Sequence, residues 1–145
     1  MTESRIIPCP SCDTLNRVPV DRLAEGGKCG SCGKALFPGK PVALSTARFD
    51  KHAASADLPL VVDFWAQWCG PCRAMAPTFE AAAAEIEPEA RLAKVDTDAE
   101  PALAQRYRIQ AIPTLILFKG GREIARQSGA MGAGDLRRWI GQNLG

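Results

Sequence analysis

The chain lacks most of what would make its chemistry easy to misread. No apolar run approaches the roughly 18–20 residues that a membrane-spanning helix needs, so no membrane role is expected. The start, Met1-Thr-Glu-Ser-Arg-Ile-Ile-Pro-Cys9, has no charged leader followed by an apolar stretch. No secretory signal is therefore expected, and the protein is expected to stay in a reducing cytoplasm. The formal charge is only +2 and no dense Lys/Arg stripe accompanies it, which argues against a nucleic-acid partner. No dinucleotide fingerprint is present, so no tightly bound organic cofactor is expected. Histidine is nearly absent: His52 is the only one, and it reads as a satisfied surface residue away from the motifs.

What is present is cysteine, in an uneven distribution. Cys9, Cys12, Cys29 and Cys32 crowd the first quarter, and Cys69 and Cys72 stand alone in the rest. In a reducing compartment, cysteines read as metal ligands or catalytic thiols rather than as structural bridges. A Pro/Gly-rich stretch, Phe37-Pro-Gly-Lys-Pro-Val42, separates the groups. The expected division is a module over 1–37, a linker over 38–41 and a main domain over 42–145.

The first piece has few large apolar residues and is too short to fold unaided. Cys9-Pro-Ser-Cys12 and Cys29-Gly-Ser-Cys32-Gly33, sixteen residues apart, supply a staple. Two Cys-x-x-Cys turns at that separation match one structural, four-thiolate zinc ion. Two disulfides, free thiols or an Fe–S centre are the alternatives; the spacing and the compartment favour zinc.

Hydrophobic residues make up 46% of the chain, enough for a real core in the remainder. There the pattern alternates. Strands are expected at Val42–Leu44, Leu58–Ala66, Arg91–Asp96, Thr114–Lys119 and Glu123–Gln127. Helices are expected at 46–56, 70–87, 100–107 and 134–143, with a kink at Pro77. Strands alternating with helices imply an α/β domain around a central sheet, closed by one antiparallel hairpin.

Trp68-Cys69-Gly70-Pro71-Cys72 sits where an apolar strand hands over to an amphipathic helix. A helix start favours a thiolate. Residues three apart on a helix lie close enough for a disulfide to open and close with little backbone movement. Cys69, the exposed member at the helix start, is the expected nucleophile, and Cys72 the more buried resolving thiol. Asp63 interrupts an otherwise apolar strand between Val62 and Phe64, so a buried carboxylate able to take the Cys72 proton is expected.

These residues carry a resemblance. Trp65-Ala-Gln-Trp68-Cys-Gly-Pro-Cys72, Val62-Asp63-Phe64, Lys94-Val-Asp96 and Ile112-Pro113-Thr114 together resemble the thioredoxin family. The likeness covers about residues 42–145. With the four early cysteines, the whole chain is similar to the zinc-containing second thioredoxins of bacteria. The resemblance implies the thioredoxin fold, a mixed sheet flanked by helices, behind a small zinc-ribbon-like module. It implies protein-disulfide reduction, with recharging by an NADPH-dependent thioredoxin reductase.

It also implies roles for single residues. Asp63 lies under the active cysteines, and Lys94 pairs with it; a solvated strand lysine is the alternative. Trp68 shields the disulfide at the surface, while Trp65 is expected in the core. Gly70 and Pro71 mark a reductant. Pro113 follows a cis bond and presents the backbone of Ile112 to an extended substrate peptide. Gly129 and Ala130 form a third loop at the same surface. A monomer is expected. The rival readings are an oxidant or isomerase, and a zinc-dependent redox-sensing or interaction protein.

Overall fold

Two separate sheets organise the chain, described by the computed structural model over residues 3–145. The first is a hairpin of β1 (Ser4–Pro8) and β2 (Leu15–Pro19), followed by a 3-10 turn over Val20–Glu25. The second has five strands: β3 (Val42–Ala43), β4 (Leu60–Trp65), β5 (Arg91–Asp96), β6 (Thr114–Lys119) and β7 (Arg122–Ser128). Their spatial order is β3-β5-β4-β6-β7. The first three run parallel; β6 runs antiparallel to β4, and β7 antiparallel to β6. Helices α1 (Thr46–Ala53) and α3 (Pro101–Arg106) cover one face; α2 (Gly70–Ile86) and α4 (Ala133–Leu144) cover the other.

The period-two rule explains why β4 reads as an unbroken apolar run. Leu60, Val62 and Phe64 point to α1 and α3, against Phe49 and Leu103 and beside Phe118 of β6. Val61 points to α2 and α4, against Met75, Phe79, Leu136 and Ile140. Each fully buried side chain of this kind contributes about 1.5–3 kcal/mol. Gly120 and Gly121 turn β6 into β7 with φ of 58° and 81°, and a Cβ on Gly121 would sit 3.1 Å from that of Ala54.

Several elements differ from expectation. Strand β4 is shorter than Leu58–Ala66, because Leu58 leaves the sheet to pack with Ala56 against the first hairpin. Helix α1 stops at Ala53, three residues early. Trp65 is half-buried rather than core. His52 is not a surface residue: it is 2% exposed and bonds to Asp13, beside the early cysteines. Strands β1 and β2 were not legible, being short and proline-ended.

The hairpin does not hang free. Ile7, Cys9, Cys29 and Leu36 form one apolar cluster with Ala56 and Leu58. The Asp13 carboxylate accepts from Arg48 Nε at 2.9–3.0 Å and Nη2 at 2.7 Å, and lies 2.8 Å from His52 Nε2. Arg48 holds Asp13 down to about 2, while burial lowers His52. Arg91, 2% exposed, pairs with Glu87 and donates to the carbonyls of Leu36 (2.7 Å) and Pro8 (3.3 Å). Glu87 in turn accepts from the Gly39 N–H at 2.8 Å, which ties the connecting stretch to α2.

Candidate active site and metal centre

Strand β4 ends at Trp65, and α2 starts five residues later, so the chain turns sharply through Ala66–Cys69. Cys69 caps α2: its φ of −83° and ψ of 109° are extended, and its sulfur accepts the Cys72 N–H at 3.2 Å. Pro71 fits the first turn because that position needs no N–H. Cys69 and Cys72 form a disulfide with Cα atoms 5.3 Å apart. Accessibility separates them less than expected, at 4% for Cys69 and 1% for Cys72. A sulfur that must accept a helix N–H lies close against the helix start.

Three segments surround this bond. The Ile112 carbonyl oxygen lies 3.7 Å from Cys69 Sγ, and the Ile112–Pro113 bond is cis. The Gly129 N–H donates to the Pro113 carbonyl at 2.9 Å, which brings Gly129 and Ala130 alongside. Met131 N–H reaches the Met75 sulfur at 3.5 Å, joining that loop to α2. Trp68 is 69% exposed, and its Nε1–H donates to Asp98 at 2.9 Å. Asp98 escaped sequence reasoning; the only signal was its place in the Asp96-Thr97-Asp98 turn after β5.

Asp63 lies on the α2 face of β4, level with Lys94 of β5. It is fully buried, and neither carboxylate oxygen has a hydrogen-bond partner. Burial pushes it up to about 7 against the opposing pull of Lys94. Lys94 makes no contact ion pair with it. Its ammonium instead sits 4.4 Å from the Trp65 ring centroid, where the indole face offers a half-exposed cation better solvation than a closed pocket. Lys94 therefore acts on Asp63 through the field alone.

The other four sulfurs converge. Ligand atoms of Cys9, Cys12, Cys29 and Cys32 all lie within 4.8 Å of one another. Cys9–Cys32 and Cys12–Cys29 are each 3.6 Å apart. Tetrahedral Zn–S bonds of about 2.3 Å imply sulfur separations of about 3.8 Å, so the residues fit the ion. The two turns are built alike. Cys9 O accepts from Asp13 N–H and Cys29 O from Gly33 N–H, both at 2.9 Å. Asp13 and Gly33 share the left-handed region, with φ of 67° and 77°. Ser11 and Ser31 N–H groups point at Cys9 and Cys29 sulfur. The Cys29 thiol falls to about 6, chiefly through the Cys32 N–H and then Asn16. Cys32 rises to about 11: the Lys34 N–H lowers it, but burial and the neighbouring sulfurs outweigh that pull. Four crowded sulfurs cannot all be negative unless a cation neutralises them.

A disulfide at a helix start, beside an open carbonyl and an exposed tryptophan, can trade its bond with sulfur on another polypeptide. Fold and site together define a thiol–disulfide oxidoreductase. The chain belongs to the thioredoxin family. The family model for thioredoxin matches residues 40–142, and one described as thioredoxin 2, N-terminal, matches residues 8–34. Thioredoxin C-3 of Corynebacterium nephridii is 43% identical over 96% of this chain and 95% of its own length. Thioredoxin 1 of a Nostoc species is 38% identical over 70% of this chain and 94% of its own. A bifunctional thioredoxin reductase/thioredoxin of Mycobacterium leprae is 40% identical over 69% of this chain, which matches 22% of that protein. The protein is thus an oxidoreductase that catalyses thiol–disulfide exchange through Cys69 and Cys72.

Proposed function

We propose that this chain reduces disulfides in other proteins, with Cys69 as nucleophile and Cys72 as resolving thiol. The Cys69 thiolate attacks one sulfur of a substrate disulfide, and the other sulfur leaves as thiolate. Cys72 then attacks Cys69 sulfur in the mixed disulfide and frees the reduced substrate. The protein is left as the Cys69–Cys72 disulfide, two electrons poorer. The Cys69 sulfur beside the Ile112 carbonyl is the observation that carries this reading. An extended substrate strand can pair with that backbone while its sulfur meets Cys69. Trp68, Gly70, Pro71, Pro113, Gly129 and Ala130 form the surrounding substrate surface. Asp63 accepts the Cys72 proton, and Lys94 tunes it.

A separate NADPH-dependent thioredoxin reductase returns the electrons. The mycobacterial relative, whose name joins both activities, supports that pairing. Residues 1–37 form the zinc module, 38–41 the linker and 42–145 the catalytic domain. The module holds one structural zinc ion, and no organic cofactor is needed. The protein acts as a monomer in the cytoplasm, where thiols stay reduced; no helix among the described residues is long and apolar enough to cross a membrane. Insulin reduction with thioredoxin reductase and NADPH tests the assignment. Cys69→Ser abolishes turnover, and Cys72→Ser accumulates a mixed disulfide through Cys69. Normal turnover in Cys69→Ser refutes it.

A further inference from the structure

The zinc module lies along α1, where Asp13 meets Arg48 and His52, and reaches the end of the sheet opposite the disulfide. It packs on Ala56 and Leu58, which precede β4, and on Arg91, which opens β5, while Cys69 follows the far end of β4. Six residues of strand span about 20 Å, and the seventeen of α2, from Gly70 to Ile86, about 25 Å. A protein held at one end leaves the other open.

The module carries a cleft of about 370 Å³. Arg17, Arg22 and Lys28 line it, over an apolar floor of Val18 and Leu36. Glu25 is the only carboxylate on its wall. Among the described residues, none of the three cations lies within ion-pair distance of a carboxylate, a state they share with Arg73, Arg108, Arg122 and the other lysines; what sets them apart is that all three line one cleft. Leu15, 44% exposed, opens the strand that forms one side, and Val20, 37% exposed, follows it. Exposed large apolar residues are few among the described residues, and these two share the module with the cleft.

We propose that this cleft is a docking site for an acidic, partly apolar segment of a protein substrate. Unneutralised cations around an apolar floor complement alternating carboxylate and aliphatic side chains. The cations are clustered around a small cleft rather than strung along a phosphate track, which favours a peptide over nucleic acid. Docking there holds the substrate near the disulfide and raises its effective concentration without covering Cys69.

The test uses the full chain loaded with zinc. A short fluorescein-labelled peptide alternating glutamate with leucine is titrated by anisotropy, beside a labelled DNA duplex of similar charge. The wild type binds the peptide, and affinity falls about tenfold in Arg17→Glu/Arg22→Glu and again on raising sodium chloride from about 50 to about 300 mM. The Lys51→Glu/Arg122→Glu variant makes the same change in net charge elsewhere and keeps wild-type affinity. Arg22→Gln, which adds no repulsion, loses a smaller share and guards against misfolding; zinc content and unfolding midpoint check both. Absence of peptide binding, equal affinity in Arg17→Glu/Arg22→Glu, equal loss in the Lys51→Glu/Arg122→Glu control, or tighter binding of the duplex overturns the proposal.

Discussion

Replacing Asp63 with asparagine isolates the energetics of one buried carboxyl group. In the unfolded chain the group titrates at the ordinary 3.8; in the folded protein burial carries it to about 7. Below pH 3.8 it is protonated in both states and adds no pH dependence. Between 3.8 and about 7 the folded protein keeps a proton that the unfolded chain has released, so stability falls as pH rises. Above about 7 the fall is complete, and its size is about 4 kcal/mol. The asparagine variant lacks this slope. Its own amide is as unpartnered as the carboxyl it replaces, which adds a constant offset and leaves the pH dependence untouched. Other titrating groups, such as Asp13 and Glu87, occur in both proteins and cancel in the difference. Guanidinium unfolding of the oxidised protein at several pH values between 4 and 8.5 measures it. Asp63→Asn gains on the wild type by about 4 kcal/mol across that range, most of it between pH 4 and 7. A difference flat to within about 1 kcal/mol refutes a buried, unpartnered carboxyl.

Arg91→Ala leaves Glu87 buried without its cation and costs about 3–5 kcal/mol, seen as a lower thermal midpoint; Arg91→Met with Glu87→Leu costs less. An equal loss in both would show that the ion pair is not what the single change breaks. Trp68→Ala removes a side chain that is mostly in water, so stability moves by less than about 0.5 kcal/mol while KM for insulin rises severalfold. An unchanged KM would remove Trp68 from the substrate surface. Cys12→Ser opens the four-sulfur cluster; a chromogenic chelator then takes zinc from it far faster than from the wild type, and insulin turnover survives. Equal release rates would place the metal elsewhere.

Much of the catalytic half was legible because its signals are local. Alternation and apolar runs located β5 and β6 to the residue. The Cys-Gly-Pro-Cys spacing identified the redox pair, since helix geometry alone brings Cys69 and Cys72 within reach. The Cys-x-x-Cys pairs marked the four sulfurs that converge for the same reason: each turn is closed by its own backbone. The short hairpin was hidden because five residues with prolines at their ends carry too little periodicity.

What stayed hidden depends on residues far apart in the chain. Asp13 meets Arg48 and His52 across more than thirty positions, so a histidine that reads as surface becomes buried. Lys94 had a carboxylate level with it on the next strand, yet its ammonium settled over Trp65. The sequence by itself determined the chemistry: which sulfurs form the redox pair, which converge in a set that fits a metal, and which strands carry them, because adjacent residues and regular backbone periods set those relations. Only the tertiary structure decided how the module docks, which charges lose their water and which cations remain unpaired, because burial and long-range pairing exist only once distant segments have packed.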